Sequence, residues 1–506
     1  MAQVSLTPKT RPIAPLPNLP FSPEQLAYFH WLQHSTGSAI LSSVAGSGKT
    51  TTLVAGLHYM RGSIFVGVFN KRIAEELQSK IPTGCATIST MHSAGFGVWR
   101  NYQSRCKVDS NKCKWLLKDH FPAIYKEDWR LITPILQLVS LAKQAGVGVG
   151  GYTLDREGWE SLVDLYSIYC HSKDEVVLSV APALLELSQQ DLRRLDFDDM
   201  IYMPLFHKVV DPQYDWVLID EAQDTNRTRR LLAVALLRPT GRLVAVGDPH
   251  QAIYGFTGAD SNAMSLLRDA VRATELSLSV SYRCPQAVVA EAQNYVPHIS
   301  PSPDAPLGNV SKITYPDMFD NVGPGDVILC RNNAPLLEAA FSLINSGVPV
   351  KIEGKDLGAK LQDLVARWDS RDLEYITEKL VAYRDERCNK YIRTGRRQLA
   401  EDLADRVACI FTIMNRVYGL CDTPNGQYSM LLSEIDNIFG DSVGPNYVCL
   451  STIHKAKGRE WPKVYWLRLP ISKYVTKDWE YEAEDNIAYV AITRAMEELN
   501  IIEMEK

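Results

Sequence analysis

The chain has 506 residues, a formal net charge of −5, 46% hydrophobic residues and 22% charged residues. This composition is typical of a globular protein with several domains, and it excludes neither an enzyme nor a binding protein. No run of about 18 apolar residues is present, so we expect no membrane partner. The small negative charge does not exclude nucleic-acid binding, because only the binding groove must be basic.

The chain begins with a proline-rich segment, and we interpret residues 1–20 as a disordered leader rather than a signal peptide. A short apolar strand, Ala39–Val44, then precedes a glycine-rich loop, and Thr50–Tyr59 has a helical pattern. Further strands are predicted at Ser63–Phe69, Trp216–Ile219, Leu243–Val246, Val327–Cys330, Val348–Ile352, Val448–Ser451 and Val464–Leu469. Polar residues follow several of these strands, which is typical of parallel sheets that bind ligands at one edge.

Two long stretches, Arg100–Asp196 and Leu357–Phe439, have the 3.6-residue apolar spacing of helices. The predicted fold class is therefore α/β, with two parallel-sheet cores that each carry a mainly helical insertion. The predicted first core comprises residues 21–99 and 197–285, with residues 100–196 as its insertion. The predicted second core comprises residues 286–356 and 446–506, with residues 357–445 as its insertion.

The loop Gly46-Ser47-Gly48-Lys49-Thr50 lies between a predicted strand and a predicted helix. Glycines at such a place let backbone N–H groups and the helix N-terminus approach phosphates closely. In this setting Lys49 would reach the β- and γ-phosphates of a nucleotide, and the Thr50 hydroxyl would bind Mg²⁺. The alternative is a simple glycine turn ahead of a helix.

Two acidic residues, Asp220 and Glu221, directly follow the apolar strand Trp216–Ile219. Asp220 would lie at the strand end and share the metal with Thr50. Glu221 is placed to orient or deprotonate an attacking water. The alternative is an acidic pair on the surface. ATP and Mg²⁺ are therefore the predicted cofactors.

Short motifs occur in a defined order outside the two helical stretches. They are FSPEQ (Phe21–Gln25), the glycine-rich loop, FNKRIAEEL (Phe69–Leu77), TMH (Thr90–His92), DFDDMI (Asp196–Ile201), IDEAQD (Ile219–Asp224), VGDPHQAIYGFTGAD (Val246–Asp260), SYR (Ser281–Arg283), ILCRNNA (Ile328–Ala334), STIHKAKGREWP (Ser451–Pro462) and AYVAITRA (Ala488–Ala495). As a set, they resemble superfamily 1 DNA helicases of the UvrD/Rep type. The resemblance implies two RecA-like cores that use ATP.

The resemblance also implies roles for single residues around the nucleotide. Gln25 is similar to the glutamine that reads adenine, and Tyr282 to the aromatic residue that stacks on the base. Gln251 is similar to the γ-phosphate sensor, and Glu460 to a residue near the ribose. Gln25 alone could equally be a residue on a helix surface.

Arg283 and Arg494 match the two arginine fingers of the family. A guanidinium contributes positive charge to the transferring phosphoryl group, and such fingers are worth about 10³–10⁵ in rate. We expect both groups to approach the pocket formed by Lys49, Asp220 and Gln251. We also expect the positive charges of both guanidinium groups to be poorly compensated by neighbouring groups when no nucleotide is bound, because their partner would be the phosphate.

Several positions depart from the expected pattern. Ser43 holds the place of the first glycine in the phosphate-loop consensus. Thr51, one of the predicted nucleotide-binding residues, stands where relatives commonly have an arginine that sandwiches adenine, so tight base selection is in doubt. Thr257 replaces an arginine in motifs of the YGWRGA kind, so the coupling between ATP and DNA is in doubt.

Single-stranded DNA and duplex junctions are the partners that the resemblance implies. Phe256 occupies the usual position of a tryptophan on which bases stack, Tyr254 lies two residues before it, and His92 matches a contact to the DNA backbone. Stacking on an aromatic ring is worth about 1–3 kcal/mol and tolerates any base. The alternatives are a buried core phenylalanine and a histidine with only local partners.

Basic and aromatic residues alternate between Arg100 and Arg130, including Lys112, Lys118 and Trp115. This pattern is typical of a surface that faces phosphates. The alternative is a merely solvated charged face.

Taken together, the motifs predict an ATP-dependent DNA helicase or translocase that moves on single-stranded DNA, and the resemblance implies the 3′→5′ direction. DNA repair or replication is the expected setting, with recombination and defence as open alternatives. One alternative is an RNA-directed helicase of the same superfamily. Another is a DNA-stimulated ATPase subunit of a nuclease or defence complex that does not unwind alone. The scattered cysteines fit a reducing cytosol. We expect a cytoplasmic protein that is associated with the nucleoid, or one in the host cytoplasm if the protein is phage-encoded.

Overall fold

The computed structural model describes residues 20–504, with gaps at 69, 167, 169, 171–172, 254–261, 354, 369, 394–396, 419–422, 440–445, 472–474 and 476–477. The chain forms two compact units, of which the first ends at Val280 and the second begins at Ser281. Within the described part of the chain, no helix is both long and apolar enough to cross a bilayer.

The first unit is built on a six-stranded parallel sheet. The strands of the whole unit are β1 (Ala39–Ser43), β2 (Ile64–Val68), β3 (Thr87–Thr90), β4 (Lys107–Val108), β5 (Arg194–Leu195), β6 (Tyr214–Ile219), β7 (Leu237–Gly247) and β8 (Thr274–Leu278). The order in the sheet is β3-β2-β6-β7-β1-β8, and β4 and β5 form a separate parallel pair. Because β7 lies between β6 and β1, the loops after these three strands reach the same edge of the sheet.

Helices surround this sheet and fill the first insertion. They are α1 (Pro23–His34), α2 (Lys49–Gly56), α3 (Lys71–Lys80), α4 (Met91–Tyr102), α5 (Lys112–His120), α6 (Pro122–Glu127), α7 (Ile132–Ala145), α8 (Arg156–Leu165), α9 (Asp174–Gln190), α10 (Asp199–Phe206), α11 (Arg227–Ala235) and α12 (Ala263–Val271). Short 3₁₀ helices lie at Trp129–Leu131, Val149–Gly151, Ala222–Asp224 and Pro249–Gln251.

The two faces of the first sheet belong to two hydrophobic cores. Val217 and Ile219 pack with the helices of the insertion, whereas Leu218 packs on the other face with α1, α2 and α3. Alternate strand residues point to opposite faces, so β6 is apolar throughout its buried part. The first insertion therefore shares one core with its sheet and is not a separately folded appendage.

The second unit repeats this plan. The two-residue strand β9 (Val280–Ser281) includes the last residue of the first unit and the first residue of the second. The other strands of the second unit are β10 (Ser300–Pro301), β11 (Asn309–Lys312), β12 (Val327–Cys330), β13 (Val350–Ile352), β14 (Val448–Thr452), β15 (Trp461–Arg468) and β16 (Ala495–Glu503). The six long strands form a parallel sheet in the order β11-β16-β15-β12-β14-β13, and β9 pairs with β10. All residues of β12 and β14 are buried, as expected for central strands covered on both faces.

The helices of the second unit are α13 (Gln286–Ala292), α14 (Tyr315–Asn321), α15 (Ala334–Asn345), α16 (Lys355–Val365), α17 (Leu373–Arg393), α18 (Arg397–Tyr418), α19 (Pro424–Phe439), α20 (Ile453–Ala456) and α21 (Asp478–Ile492), with a 3₁₀ turn at Ala366–Trp368. Apolar residues of α18 and α19, such as Ile410 and Leu431, pack in one core with Ile328 of β12.

The predicted fold class is confirmed: two RecA-like parallel-sheet cores each carry a mainly helical insertion. The exact domain boundaries stay predictions. The compact units divide between Val280 and Ser281, whereas the predicted first core extends to residue 285.

Candidate functional site

The glycine-rich loop connects β1 to α2 at the carboxyl edge of the first sheet. Gly46 and Gly48 have φ of 70° and 73°, a left-handed conformation that a side chain would strain. The Ser47 hydroxyl between them is buried and has no hydrogen-bond partner within the described residues. A buried hydroxyl without a partner at a helix N-terminus fits a site for an anion such as a phosphate.

Ser43, the departure from the consensus, has a structural partner. Its hydroxyl donates a 2.6 Å hydrogen bond to the carbonyl oxygen of Gly247, at the end of β7. The serine therefore joins the ends of two neighbouring strands at the base of the loop.

The predicted metal ligands lie side by side. The Thr50 hydroxyl donates to Asp220 Oδ2 over 2.7 Å. Burial, together with the negative charge of Glu221, raises the pKa of Asp220 to about 6, although Thr50 and the positive charge of Lys49 oppose this shift. A hydroxyl at the start of α2 and a carboxylate directly after β6 are ligands that Mg²⁺ commonly takes beside nucleotide phosphates.

Glu221 adopts an unusual backbone conformation at the end of β6. Its φ of 53° and ψ of 47° are left-handed, which costs a residue with a side chain about 1–2 kcal/mol. The Gln223 side chain fixes the carboxylate, because its Nε2 donates to Glu221 Oε2 over 2.6 Å. Strain of this kind clusters at functional sites, so the conformation favours a chemical role for Glu221.

Gln223 also reaches the loop after β7, where Gln251 lies. The backbone N–H of Asp248 donates to Gln223 Oε1 over 3.1 Å, and Gln251 Nε2 donates to Asp248 Oδ2 over 2.8 Å. Burial raises the pKa of Asp248, and the positive charge of Lys49 opposes this shift. Gly247 makes the contact possible, because a Cβ there would lie 2.4 Å from Gln223 Oε1.

Gln25 lies beside the glycine-rich loop with both ends of its side chain engaged. Its Oε1 accepts from the Ser22 backbone in a capping box that starts α1, and its Nε2 donates to Thr52 Oγ1 over 2.7 Å. The neighbouring Thr51 is exposed. Gln25 therefore has a structural role in joining α1 to α2, next to its predicted role in adenine recognition.

In the second unit, the expectation that the positive charge of Arg283 is poorly compensated is wrong. Its Nε lies 2.5 Å from Glu460 Oε2, so the residue predicted near the ribose forms an ion pair with it. Tyr282, before it, is 44% exposed.

The Arg494 guanidinium also has close hydrogen-bond partners, contrary to the expectation that it is poorly compensated. The side chain is fully buried, and its nitrogens donate to the carbonyl oxygens of Val490 (3.0 Å) and Arg459 (3.1 Å) and to Thr493 Oγ1 (3.2 Å). Arg459 and Glu460 are consecutive, so one short segment contacts both predicted arginine fingers.

Among the predicted DNA-binding residues, Tyr254 and Phe256 lie outside the described residues, as does Thr257. His92 is buried and stacks on Phe197 with ring centroids 3.9 Å apart. Burial, and then the charge of Arg229, lowers the pKa of His92 to about 3, so the imidazole is neutral at physiological pH. Phe197 itself is 59% exposed, so much of the side chain that stacks on His92 is open to solvent.

The prediction that Lys112 faces phosphates is wrong. Lys112 and Lys143 are fully buried, and both form ion pairs with the buried Asp199, at 2.7 Å and 2.8 Å. Lys143 also pairs with Asp196 at 2.5 Å. A buried charge requires a close partner of opposite sign. Lys112, one lysine of the basic pattern, therefore connects the insertion to α10 and does not face solvent.

Comparisons with known proteins agree with this arrangement. A family model described as the UvrD/REP helicase N-terminal domain matches residues 24–272. A second, described as the UvrD-like helicase C-terminal domain, matches residues 427–506. The chain belongs to the UvrD/Rep-like superfamily 1 DNA helicases.

Individual relatives are distant. The chain is 25% identical to DNA helicase II of Rickettsia typhi, and the alignment covers 93% of this chain and 90% of that protein. It is 24% identical to the ATP-dependent DNA helicase Rep of Salmonella typhimurium, over 53% of this chain and 43% of the relative. The match to Rep therefore spans less than half of that relative's length.

A solved structure of an arterivirus nonstructural protein 10 helicase with DNA matches at 14% identity and a TM-score of 0.35. This match covers 93% of this chain and 62% of the other.

The sequence interpretation missed three residues of the site, although all lie within family motifs. Gln223 belongs to IDEAQD, Asp248 to VGDPHQ and Phe197 to DFDDMI. The motifs therefore contained the signal, but residue type alone did not reveal that Gln223 bridges two loops or that Phe197 covers His92.

Proposed function

We propose that this protein is an ATP-dependent DNA helicase that moves along single-stranded DNA in the 3′→5′ direction and separates duplex DNA. The observation that carries the proposal is the 2.7 Å contact between Thr50 and Asp220 beside the glycine-rich loop. Membership of the UvrD/Rep-like family supports the activity, and the direction rests on the resemblance alone.

ATP with Mg²⁺, when bound, supplies the phosphoryl group whose hydrolysis drives the movement. Gly46, Ser47 and Gly48 would surround the phosphates, and Lys49 would neutralise their charge. We assign the metal to Thr50 and Asp220. The buried Ser47 hydroxyl and the Thr50–Asp220 contact support this assignment.

Within the first unit, Glu221 would orient and deprotonate the attacking water, with Gln223 holding its carboxylate. Gln251 would sense the γ-phosphate from the neighbouring loop. Gln25, Thr51, Tyr282 and Glu460 are assigned to the adenosine part of the nucleotide by the motifs in which they lie.

Arg283 and Arg494 are assigned to the transferring phosphoryl group. This assignment rests on the SYR and AYVAITRA motifs. Each guanidinium would have to exchange present partners for phosphate oxygens, since Arg283 pairs with Glu460 and Arg494 contacts carbonyl oxygens.

For the DNA partner, we assign His92, Tyr254 and Phe256 to single-stranded DNA at a duplex junction. The exposed ring of Phe197, stacked on His92, supports a surface on which bases can stack without sequence preference. A DNA substrate would place the protein in the cytoplasm, at the nucleoid.

The test is ATP turnover by the purified chain with no nucleic acid, with single-stranded DNA and with single-stranded RNA of the same sequence. We expect turnover to rise strongly with DNA and little with RNA. Stimulation by RNA alone would favour the RNA-directed alternative. ATP turnover that rises with neither DNA nor RNA would contradict the proposal.

A further inference from the structure

The segment that contacts both predicted arginine fingers runs from α20 to β15. Within it, the carbonyl oxygen of Arg459 accepts the 3.1 Å hydrogen bond from Arg494 Nη1. In the other direction, the backbone N–H of Trp461 donates to the carbonyl oxygen of Arg494 over 3.0 Å. The position of Arg494 is therefore set by where this segment lies.

The Arg459 side chain connects this segment to the end of β13. Its guanidinium forms an ion pair with Glu353, directly after β13, and lies 4.6 Å from the centroid of the Trp461 ring. A planar guanidinium that is both paired and stacked has few alternative positions. The carbonyl oxygen of the same residue is correspondingly fixed.

Glu353 is itself held from two sides. The buried Ser451 hydroxyl, on β14, donates to Glu353 Oε2 over 2.9 Å, which leaves Oε1 for Arg459. Lys455 Nζ donates to the Glu353 carbonyl oxygen over 3.0 Å. A carboxylate with both oxygens engaged is a rigid support, and it lies outside every motif that the sequence interpretation used.

We propose that Glu353 is a positioning residue for ATP hydrolysis, because it holds Arg459 so that the Arg459 carbonyl fixes the guanidinium of Arg494. The inference rests on the proposed function of Arg494. A hydrogen bond of 3.1 Å is lost when its atoms separate by several tenths of an ångström more. A displacement of about 1 Å in a catalytic group can lower the rate by about 100-fold.

The experiment compares Glu353→Gln with Glu498→Gln in DNA-stimulated turnover. Glu498 is a matched control, because it forms a similarly half-exposed ion pair with Lys463 in the same sheet, at 3.1 Å. We expect Glu353→Gln to lower kcat by about ten-fold or more, with the KM for ATP within about two-fold, since a positioned catalytic group acts on the transition state. Glu498→Gln should behave as wild type.

Two further variants separate positioning from a general structural role. Arg459→Met removes the ion pair with Glu353 but keeps an apolar side chain packed on Trp461. This variant should show the same decrease in kcat, even if Glu353→Gln folds poorly. In an Arg494→Ala background, Glu353→Gln should cause no further loss, because its effect passes through Arg494.

Wild-type kcat in both Glu353→Gln and Arg459→Met would overturn the inference. An equal further loss in the Arg494→Ala background, or a raised KM with unchanged kcat, would also overturn it. If the unmutated chain shows no DNA-stimulated turnover, the proposed function fails first, and the two failures are thereby distinguished.

Discussion

The Thr50 hydroxyl donates a 2.7 Å hydrogen bond to the carboxylate of Asp220, 170 positions away in the chain. The two residues follow β1 and β6, and β7 lies between these strands. Parallel strands bring distant loops to one edge, so this contact places the predicted phosphate loop and the predicted metal ligand in one site.

Lys49→Ala tests the phosphate loop. We expect ATP turnover to fall by at least about 100-fold, because a fixed positive charge at the phosphates is lost. Lys49 is half-buried at the start of α2, so its truncation leaves no core cavity and the thermal midpoint should change little. Lys80→Ala, which removes an exposed lysine whose ion-pair partner is Glu76 on α3, should leave turnover unchanged. Wild-type turnover of Lys49→Ala would refute the assignment.

Glu221→Gln tests the proposed general base. The amide keeps the shape and still has an oxygen to accept the hydrogen bond from Gln223, but it cannot take a proton. Binding of ATP and of DNA should persist, while turnover falls by about 10²–10⁴. Glu75→Gln, an exposed carboxylate 3.4 Å from Lys71, serves as the control. Near-normal hydrolysis by Glu221→Gln would mean that another group activates the water.

Arg494→Ala tests the second unit's contribution to chemistry. DNA-stimulated turnover should fall by about 10³–10⁵, equivalent to about 4–7 kcal/mol in the barrier, with ATP binding less affected. Because Arg494 is fully buried, truncation also leaves a cavity, so Arg494→Lys is measured beside it. Lysine keeps the charge but not the forked donors, and turnover should still be strongly reduced. Full activity of the lysine variant would argue against an arginine finger.

His92→Gln tests whether the imidazole contacts single-stranded DNA as a neutral group or as a cation. The pKa of His92 is lowered to about 3, so the ring is neutral above about pH 4 and cannot form an ion pair with a phosphate at pH 7. We expect weaker binding of single-stranded DNA but an unchanged dependence of log K on log salt. A cationic contact would instead reduce that slope by about 0.7 when it is removed. Titration at several salt concentrations distinguishes the two.

Most interior strands of the two sheets could be predicted from sequence, and most edge strands could not. The exceptions are the interior strand β16 (Ala495–Glu503), which was missed, and the edge strand β13 (Val350–Ile352), which was predicted. Val327–Cys330 is found as predicted because a strand buried on both faces is a continuous apolar run. β8 (Thr274–Leu278) and β11 (Asn309–Lys312) were missed. Both lie at sheet edges, where exposure permits polar residues and removes the apolar signal.

Local motifs predicted the site better than its long-range pairings. Thr50 and Asp220 each lie in a short motif with its own chemistry. The pairing of Arg283 with Glu460 and the burial of Lys112 against Asp199 depend instead on which distant side chains meet in the fold. No periodicity or spacing in one sequence encodes these contacts.

Strand displacement on tailed duplexes tests the central claim most directly. Labelled duplexes with a 3′ tail, a 5′ tail or blunt ends are incubated with the purified chain, ATP and Mg²⁺, and Glu221→Gln serves as the inactive control. We predict ATP-dependent separation of the 3′-tailed duplex, with little separation of the 5′-tailed or blunt duplex. ATP hydrolysis without separation of any duplex would contradict a helicase and favour an ATPase subunit, and preference for the 5′ tail would contradict the proposed direction.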